Sequence, residues 1–143
     1  MANQQIVLNG FNMRIRDNGD GTYSTTNAKL VGEVQFQNAL SITDTAVHSS
    51  ATIDVSGYSG RKYLHVVHNL NQAITVTVVA YISNGTNGIV VGSKTLAANT
   101  SGIITAADIP ALAEPVQQFA IQVQCSVAPA SGTITILLEG VSA

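Results

Sequence analysis

The chain has 143 residues, of which 45% are hydrophobic and only 10% are charged, and its formal net charge is −2. This length gives one domain with enough chain to bury a core. An average globular domain carries roughly 25% charged residues, so we expect partner chains to cover much of this surface. The close cation pairs, Arg14 with Arg16 and Arg61 with Lys62, are interpreted as solvated strand edges, and nucleic acid is not a predicted partner.

The first 46 residues have a less regular pattern than the rest of the chain. Residues 11–16 alternate between apolar and polar types, and residues 17–21 then read Asp-Asn-Gly-Asp-Gly. Asn-Gly and Asp-Gly accept positive φ, so this pattern predicts a β-hairpin that continues at residues 22–26. A further strand is predicted at residues 29–36. We therefore predict an extended N-terminal arm with a hairpin over residues 1–46, which leans on the remaining domain or on a neighbouring chain.

Residues 47–143 are predicted to form the main domain. Its apolar, β-branched runs are bounded by Gly, Asn, Ser or Pro and lie at residues 62–67, 74–82, 89–96, 121–127 and 133–138. Strands spaced in this way predict an all-β fold, an antiparallel β-sandwich with a jelly-roll-like arrangement. Residues 106–112 are predicted to hold a single helical turn, because Pro110 and Pro115 prevent a longer helix there.

The loop at residues 17–20 is the one candidate for calcium binding. An EF-hand loop requires a bidentate Glu at its twelfth position, and counting from Asp17 that position is Ala28. A looser site built from Asp17, Asn18 and Asp20 stays open, but a hairpin turn explains the same residues. No metal site and no cofactor is therefore predicted.

The histidines and the cysteine do not form a ligand set by their spacing. His65 and His68 lie three residues apart on one predicted strand, so they point to opposite faces. With His48, they are interpreted as surface or interface histidines. Cys125 shares its face with Ile121 and other apolar residues, which predicts a buried thiol.

The sequence lacks the motifs of an enzyme. There is no Gly-x-Ser-x-Gly segment and no phosphate-binding glycine loop, and Ser59 is interpreted as a turn serine. We therefore predict no enzymatic activity and no catalytic residues. A carbohydrate-binding face would need gathered aromatic residues, but the chain has no Trp and its tyrosines are scattered at Tyr23, Tyr58, Tyr63 and Tyr81.

No apolar run reaches the roughly 18–20 residues of a membrane helix, so no membrane partner is predicted. The beginning of the chain has no basic stretch followed by a long apolar run, so we expect synthesis in the cytoplasm without export by a signal peptide.

Several segments resemble those of a known class of protein. The start Met-Ala-Asn-Gln and residues 14–24, Arg-Ile-Arg-Asp-Asn-Gly-Asp-Gly-Thr-Tyr-Ser, are similar to openings of small structural proteins of tailed bacteriophages. The sequences of later segments extend the likeness over most of the chain, at residues 60–72, 96–102, 106–112 and 129–140. The layout most resembles capsid decoration proteins, also called head auxiliary or cement proteins. The similar segments share layout and turn sequences rather than a catalytic signature, so no active-site residue is carried over.

The resemblance implies a virion protein on the capsid surface that binds the major capsid protein and stabilises the head. It also implies a homo-oligomer, with a trimer favoured, and an N-terminal arm that reaches onto the capsid. A tail, baseplate or fibre component remains an alternative. A sandwich that binds carbohydrate or a host surface is the second alternative, and a small hydrolase is the third.

Overall fold

The computed structural model describes the backbone of residues 3–8, 11–17, 19, 23–26, 29–81 and 86–142, and the side chains of residues 19, 38–58, 61–81 and 86–140. Within these residues the regular structure is twelve strands and one short 3₁₀ helix at Pro110–Ala113. The strands are β1 (Asn3–Leu8), β2 (Phe11–Asp17), β3 (Tyr23–Thr26), β4 (Lys29–Ser41), β5 (His48–Ser49), β6 (Ile53–Asp54), β7 (Tyr58–His68), β8 (Ile74–Tyr81), β9 (Ile89–Leu96), β10 (Gly102–Ile104), β11 (Gln118–Cys125) and β12 (Thr133–Ser142).

These strands form three sheets, and every pairing among them is antiparallel. The four-stranded sheet has the order β10-β7-β12-β4. The five-stranded sheet has the order β5-β11-β8-β9, with β6 also paired to β11. The remaining three strands form an N-terminal sheet in the order β1-β2-β3. The predicted all-β antiparallel sandwich is confirmed.

The core is the layer between the four-stranded and five-stranded sheets. Successive residues of a strand point to opposite faces, so alternate apolar residues of β7 and β12 meet those of β8 and β11. The residues in this layer are almost completely shielded, and include Leu64, Val66, Ile74, Val76, Val78, Phe119, Ile121, Val123, Ile134, Ile136 and Leu138. Each such side chain contributes about 1.5–3 kcal/mol relative to an exposed one.

The sandwich begins earlier in the chain than the sequence indicates, because it includes strand β4. This strand is also longer than predicted. It continues to Ser41 rather than ending near residue 36, and it pairs with β12 from Lys29 onwards. β4 of the four-stranded sheet therefore lies within the first 46 residues. The pairing contains several register shifts, and Ala39 has a φ of 47°. These irregularities break the period-two pattern on which a sequence-based strand prediction depends.

The predicted N-terminal hairpin is confirmed as a backbone pairing. β2 and β3 are antiparallel, with Asp17 opposite Tyr23, and Gly19 between them has a φ of 79° that favours glycine. Asn18 and Asp20 lie outside the described residues, and so does the calcium site that the sequence left open.

Gly132 closes the turn that leads into β12. Its φ is +118°, and a Cβ atom there would lie 2.8 Å from the backbone Cα of Leu70 and 2.9 Å from the carbonyl oxygen of Asn69. Asn69 also holds the start of β12, because its Oδ1 accepts a hydrogen bond from the backbone N–H of Thr133 at 2.8 Å. The close approach leaves no room for any side chain at residue 132.

Replacing Gly132 with Ala should lower the free energy of unfolding by about 2–3 kcal/mol, since the change adds both backbone strain and overlap with a backbone atom. The control is Gly57→Ala, because a Cβ atom at Gly57 meets nothing within 4 Å. Urea unfolding of both variants provides the measurement. Equal stability of the two variants would contradict the described turn.

Candidate functional site

A cleft of about 560 Å³ lies beside the beginning of β7 and the segment before the 3₁₀ helix. Three of its lining residues are alanines and the others carry polar groups, and the full set is Arg61, Lys62, Tyr63, Thr105, Ala106, Ala107 and Ala113. Such a volume could admit a small ligand. The chemistry that this cleft offers comes from the polar groups along its border.

Lys62 is a buried cation, with only 1% of its surface exposed. Its Nζ atom donates a hydrogen bond to the carbonyl oxygen of Glu114 at 2.9 Å and lies 6.0 Å from the centre of the Phe119 ring. Burial lowers the pKa of the Lys62 ammonium group, and the nearby charge of Glu114 partly opposes that shift. The interpretation of Arg61 and Lys62 as a solvated pair is wrong for Lys62.

The position of Lys62 could have been found from the alternation of its own strand. It has the parity of Leu64 and Val66, which are fully buried on the core side of β7. Its long aliphatic stem covers apolar surface while the ammonium group reaches a backbone carbonyl. Lys62 therefore has a structural role, since it packs on the core side of β7 and binds a backbone carbonyl.

His68 is also buried, with 5% of its surface exposed, which corrects its interpretation as a surface or interface histidine. Its parity with Leu64 and Val66 places it on the core side of β7. Neither ring nitrogen has a hydrogen-bond partner with acceptable geometry. Burial lowers the pKa of His68, and the nearby backbone carbonyls of Ala97 and Thr100 only partly counter this effect.

The other histidines lie elsewhere on the molecule. His48 Nε2 lies 2.8 Å from Oδ1 of Asp44, and this contact, with the backbone N–H of Ala46, lowers the pKa of the Asp44 carboxyl group. His65 is half-buried on the opposite face of β7 from His68. Within the part of the chain that the structure describes, no three His, Cys, Asp or Glu residues are grouped so that they could hold a metal ion.

The predicted buried state of Cys125 is confirmed, since its side chain is fully shielded in the core. Burial raises the pKa of this thiol, which keeps it in the less reactive protonated form. Ser59, interpreted from the sequence as a turn residue, belongs to the backbone of β7, and the turn precedes it at residues 56–57.

The tyrosines whose side chains are described lie at three different places. Tyr58 is packed in the core, and Tyr63 donates a hydrogen bond from its hydroxyl group to Oε2 of Glu139. Tyr81 lines a second cleft of about 350 Å³ at the end of β8, together with residues that carry no charge. The structure therefore does not bring these three rings together on one face.

Several large apolar side chains are exposed on the sandwich. Their exposed fractions run from 46% to 62%, and the residues are Val47, Val67, Ile89, Val90, Ile103 and Val127. Val67 and Ile103 lie on the neighbouring strands β7 and β10, whereas Ile89 and Val90 lie together at the start of β9. Surface patches of this kind are typical of contact surfaces.

No protein-family model matches the chain, and no curated protein matches it. Among solved structures, the PBSX exported protein XepA matches with a TM-score of 0.54 and 10% sequence identity. The match covers 92% of this chain but only 45% of XepA, so this chain spans less than half the length of that protein. VP2 of infectious bursal disease virus, in a subviral particle, matches with a TM-score of 0.42 and 10% identity over 90% of this chain and 38% of its own. At such low identities the likeness shows the fold alone.

Among the described residues there is no helix that is both long and apolar enough to cross a membrane.

The buried, neutral state of His68 predicts acid sensitivity. Its pKa is lower in the folded chain than in the unfolded chain, so the unfolded chain binds the proton more readily. The stability that depends on neutral His68 is therefore complete above about pH 6.5 and is lost as the pH falls from there towards the folded pKa, by at most about 1.4 kcal/mol per pH unit.

Thermal melting between pH 7.5 and 5.5 measures this effect, above the range in which carboxyl groups titrate. The wild-type melting temperature should fall across this window, and His68→Leu should flatten the fall. His65→Gln, on the outer face of the same strand, is the matched control and should retain the wild-type profile. An unchanged profile in His68→Leu would refute the assignment.

Proposed function

We propose that this chain is a structural protein of a tailed-bacteriophage virion that binds the outside of the capsid as a decoration protein and stabilises the head. Its partner is the major capsid protein, and it acts as a homo-oligomer, with a trimer favoured. In this proposal the chain is not an enzyme, uses no cofactor and binds neither nucleic acid nor membrane. The virion surface is its location.

The observation that carries this proposal is a rigid sandwich with a weakly charged surface that exposes large apolar residues. Val67, Ile89, Val90 and Ile103 are exposed at 46–62%, although the chain has only 10% charged residues. An isolated protein with this surface would associate readily, so permanent contact with other chains is its natural state. The PBSX exported protein XepA shares this sandwich fold.

The N-terminal sheet supplies the proposed attachment to the capsid. Its described strands pair only with one another, and β3 ends just two residues before β4 enters the four-stranded sheet. The register pairs Ile6 with Met13 and Leu8 with Phe11. A small three-stranded sheet gains stability by packing against further structure, which the capsid protein would supply.

A second candidate function is a tail, baseplate or fibre component, for which the same fold and surface would serve. A third is a sandwich that binds carbohydrate or a host surface, and the apolar cleft beside Tyr81 is the observation that favours it. The separation of Tyr58, Tyr63 and Tyr81 counts against the carbohydrate function, because sugar-binding faces gather their aromatic rings.

Deleting residues 1–28 tests the attachment role without disturbing the sandwich, because β4 begins at Lys29 and pairs with β12 along its length. The truncated chain should melt cooperatively within a few degrees of the full chain but should no longer cosediment with purified heads. The full chain carrying Ser93→Glu, an exposed change on β9, is the control and should still bind. Undiminished binding of the truncated chain would contradict the attachment role.

A further inference from the structure

We propose that the loop at residues 97–101 is an acid-sensitive cover over one end of the core, which opens when His68 beneath it takes up a proton. The loop joins β9, which ends at Leu96, to β10, which begins at Gly102. The rest of the sandwich stays folded when the loop opens. This response is a property of the fold and does not depend on the partner proposed above.

The loop shields the His68 ring while it is itself exposed to solvent. Every residue of the loop is exposed, whereas only 5% of the His68 surface is accessible. The backbone carbonyls of Ala97 and Thr100, two residues of the loop, lie near the ring. Movement of this short segment would therefore return the ring to water.

The closed site suits a neutral ring far better than a charged one. Among the described residues, neither ring nitrogen of His68 has a hydrogen-bond partner with acceptable geometry. A neutral imidazole carries one N–H donor, whereas the imidazolium ion carries two donors and a full positive charge. A buried charge without a partner is much more costly than a buried neutral group, and water relieves that cost once the loop opens. Protonation therefore shifts the balance from the closed loop to the open one.

The segments packed against His68 bring no charged group to it. They are residues 69–73, 97–104 and 128–138, and none of these contains an acidic or basic side chain. His65 lies on the opposite face of β7, and burial raises the pKa of the Cys125 thiol across the core, which keeps it neutral. No charged residue contributes to the lowered pKa of His68.

The charged side chains on the flanking strands are bound to other groups. Lys62 donates to a backbone carbonyl, and Lys94 on β9 pairs with Asp108 at 3.0 Å. Glu139, towards the far end of β12, accepts the hydrogen bond of Tyr63. Beyond the two loop carbonyls, the described residues therefore offer the imidazolium ion no compensation, and water supplies it when the loop opens.

The strand that carries His68 is fixed more firmly than the loop. His68 lies opposite Ile134 of β12. The backbone N–H of Asn69 donates to the carbonyl of Thr133 at 3.2 Å, and the Thr133 N–H donates back to Oδ1 of Asn69 at 2.8 Å. The ring therefore cannot reach water by movement of β7 without loss of the sheet pairing.

In the described part of the chain, two hydrogen bonds tie the loop to residues 68–70. The Asn99 N–H donates to the carbonyl of Leu70 at 2.9 Å, and the Ser101 hydroxyl accepts a hydrogen bond from the His68 backbone N–H at 3.3 Å. Exposed segments with few buried contacts are the parts of a fold that open at low free energy. Loss of these two bonds is then sufficient to uncover the ring.

Amide hydrogen exchange of the full chain, followed by NMR and corrected for intrinsic exchange rates, tests the proposal. The Asn99 amide reports on the loop, because its bond to Leu70 exists only when the loop is closed. Its protection factor should lie on the order of a hundredfold below that of Val76 in the central strand β8, since the loop opens without unfolding the sandwich. Between pH 7.5 and 5.5 it should fall several-fold, up to about tenfold, because pH 5.5 is about one unit below the usual histidine pKa.

Three variants locate the response. His68→Leu should give Asn99 the same protection factor at both pH values, whereas His65→Gln, on the outer face of β7, should keep the wild-type difference. Ser101→Ala removes the acceptor of one of the two bonds, so it should lower the protection of Asn99 at both pH values and leave the pH dependence in place. The wild type and Ser101→Ala decide the test if His68→Leu does not fold.

Equal protection factors for Asn99 and Val76 would show that the loop opens only with the whole sandwich and would overturn the proposal. A protection factor of Asn99 that does not change with pH would also overturn it, since the open loop would then leave the ring buried. A rise in protection at pH 5.5 would show that the imidazolium ion donates to the carbonyls of Ala97 and Thr100 and closes the loop, which is the opposite response.

Discussion

The structure depends on one apolar layer, in which the inward residues of β7 and β12 pack against those of β8 and β11. These four strands hold the central positions of the two sheets, and their inward side chains are fully shielded. The outer strands, the short 3₁₀ helix and the turns are each positioned by pairing with these strands or by packing against the layer. Two polar residues buried at its borders, Lys62 and His68, are therefore held in place by the packing of β7.

Because the inner faces are committed to the core, whatever the chain does must be done with its outer faces, its edges and its N-terminal sheet. The titratable groups are dispersed: His48 contacts Asp44, Glu139 contacts Tyr63, and Lys94 pairs with Asp108 at 3.0 Å. Exposed ion pairs of this kind contribute little to stability. The apolar residues on the outside have a clearer physical consequence, because they favour association with other chains.

Much of the fold could be predicted from the sequence because β-branched runs and turn residues mark the strands of the sandwich directly. Lys62 and His68 could also have been placed in the core, since both share the parity of Leu64 and Val66. Residue type misled the interpretation there, because lysine and histidine are usually exposed. The extension of β4 could not be predicted, because register shifts and the positive φ of Ala39 interrupt its alternation.

The proposed role of this sandwich is contact with the capsid as a component of the virion. Cryo-electron microscopy of the phage particle that carries the chain tests this proposal. The account predicts density for the two-sheet sandwich on the outside of the head, with the N-terminal sheet directed towards the major capsid protein. A head surface without this density, or a sandwich found only in the tail, would contradict it.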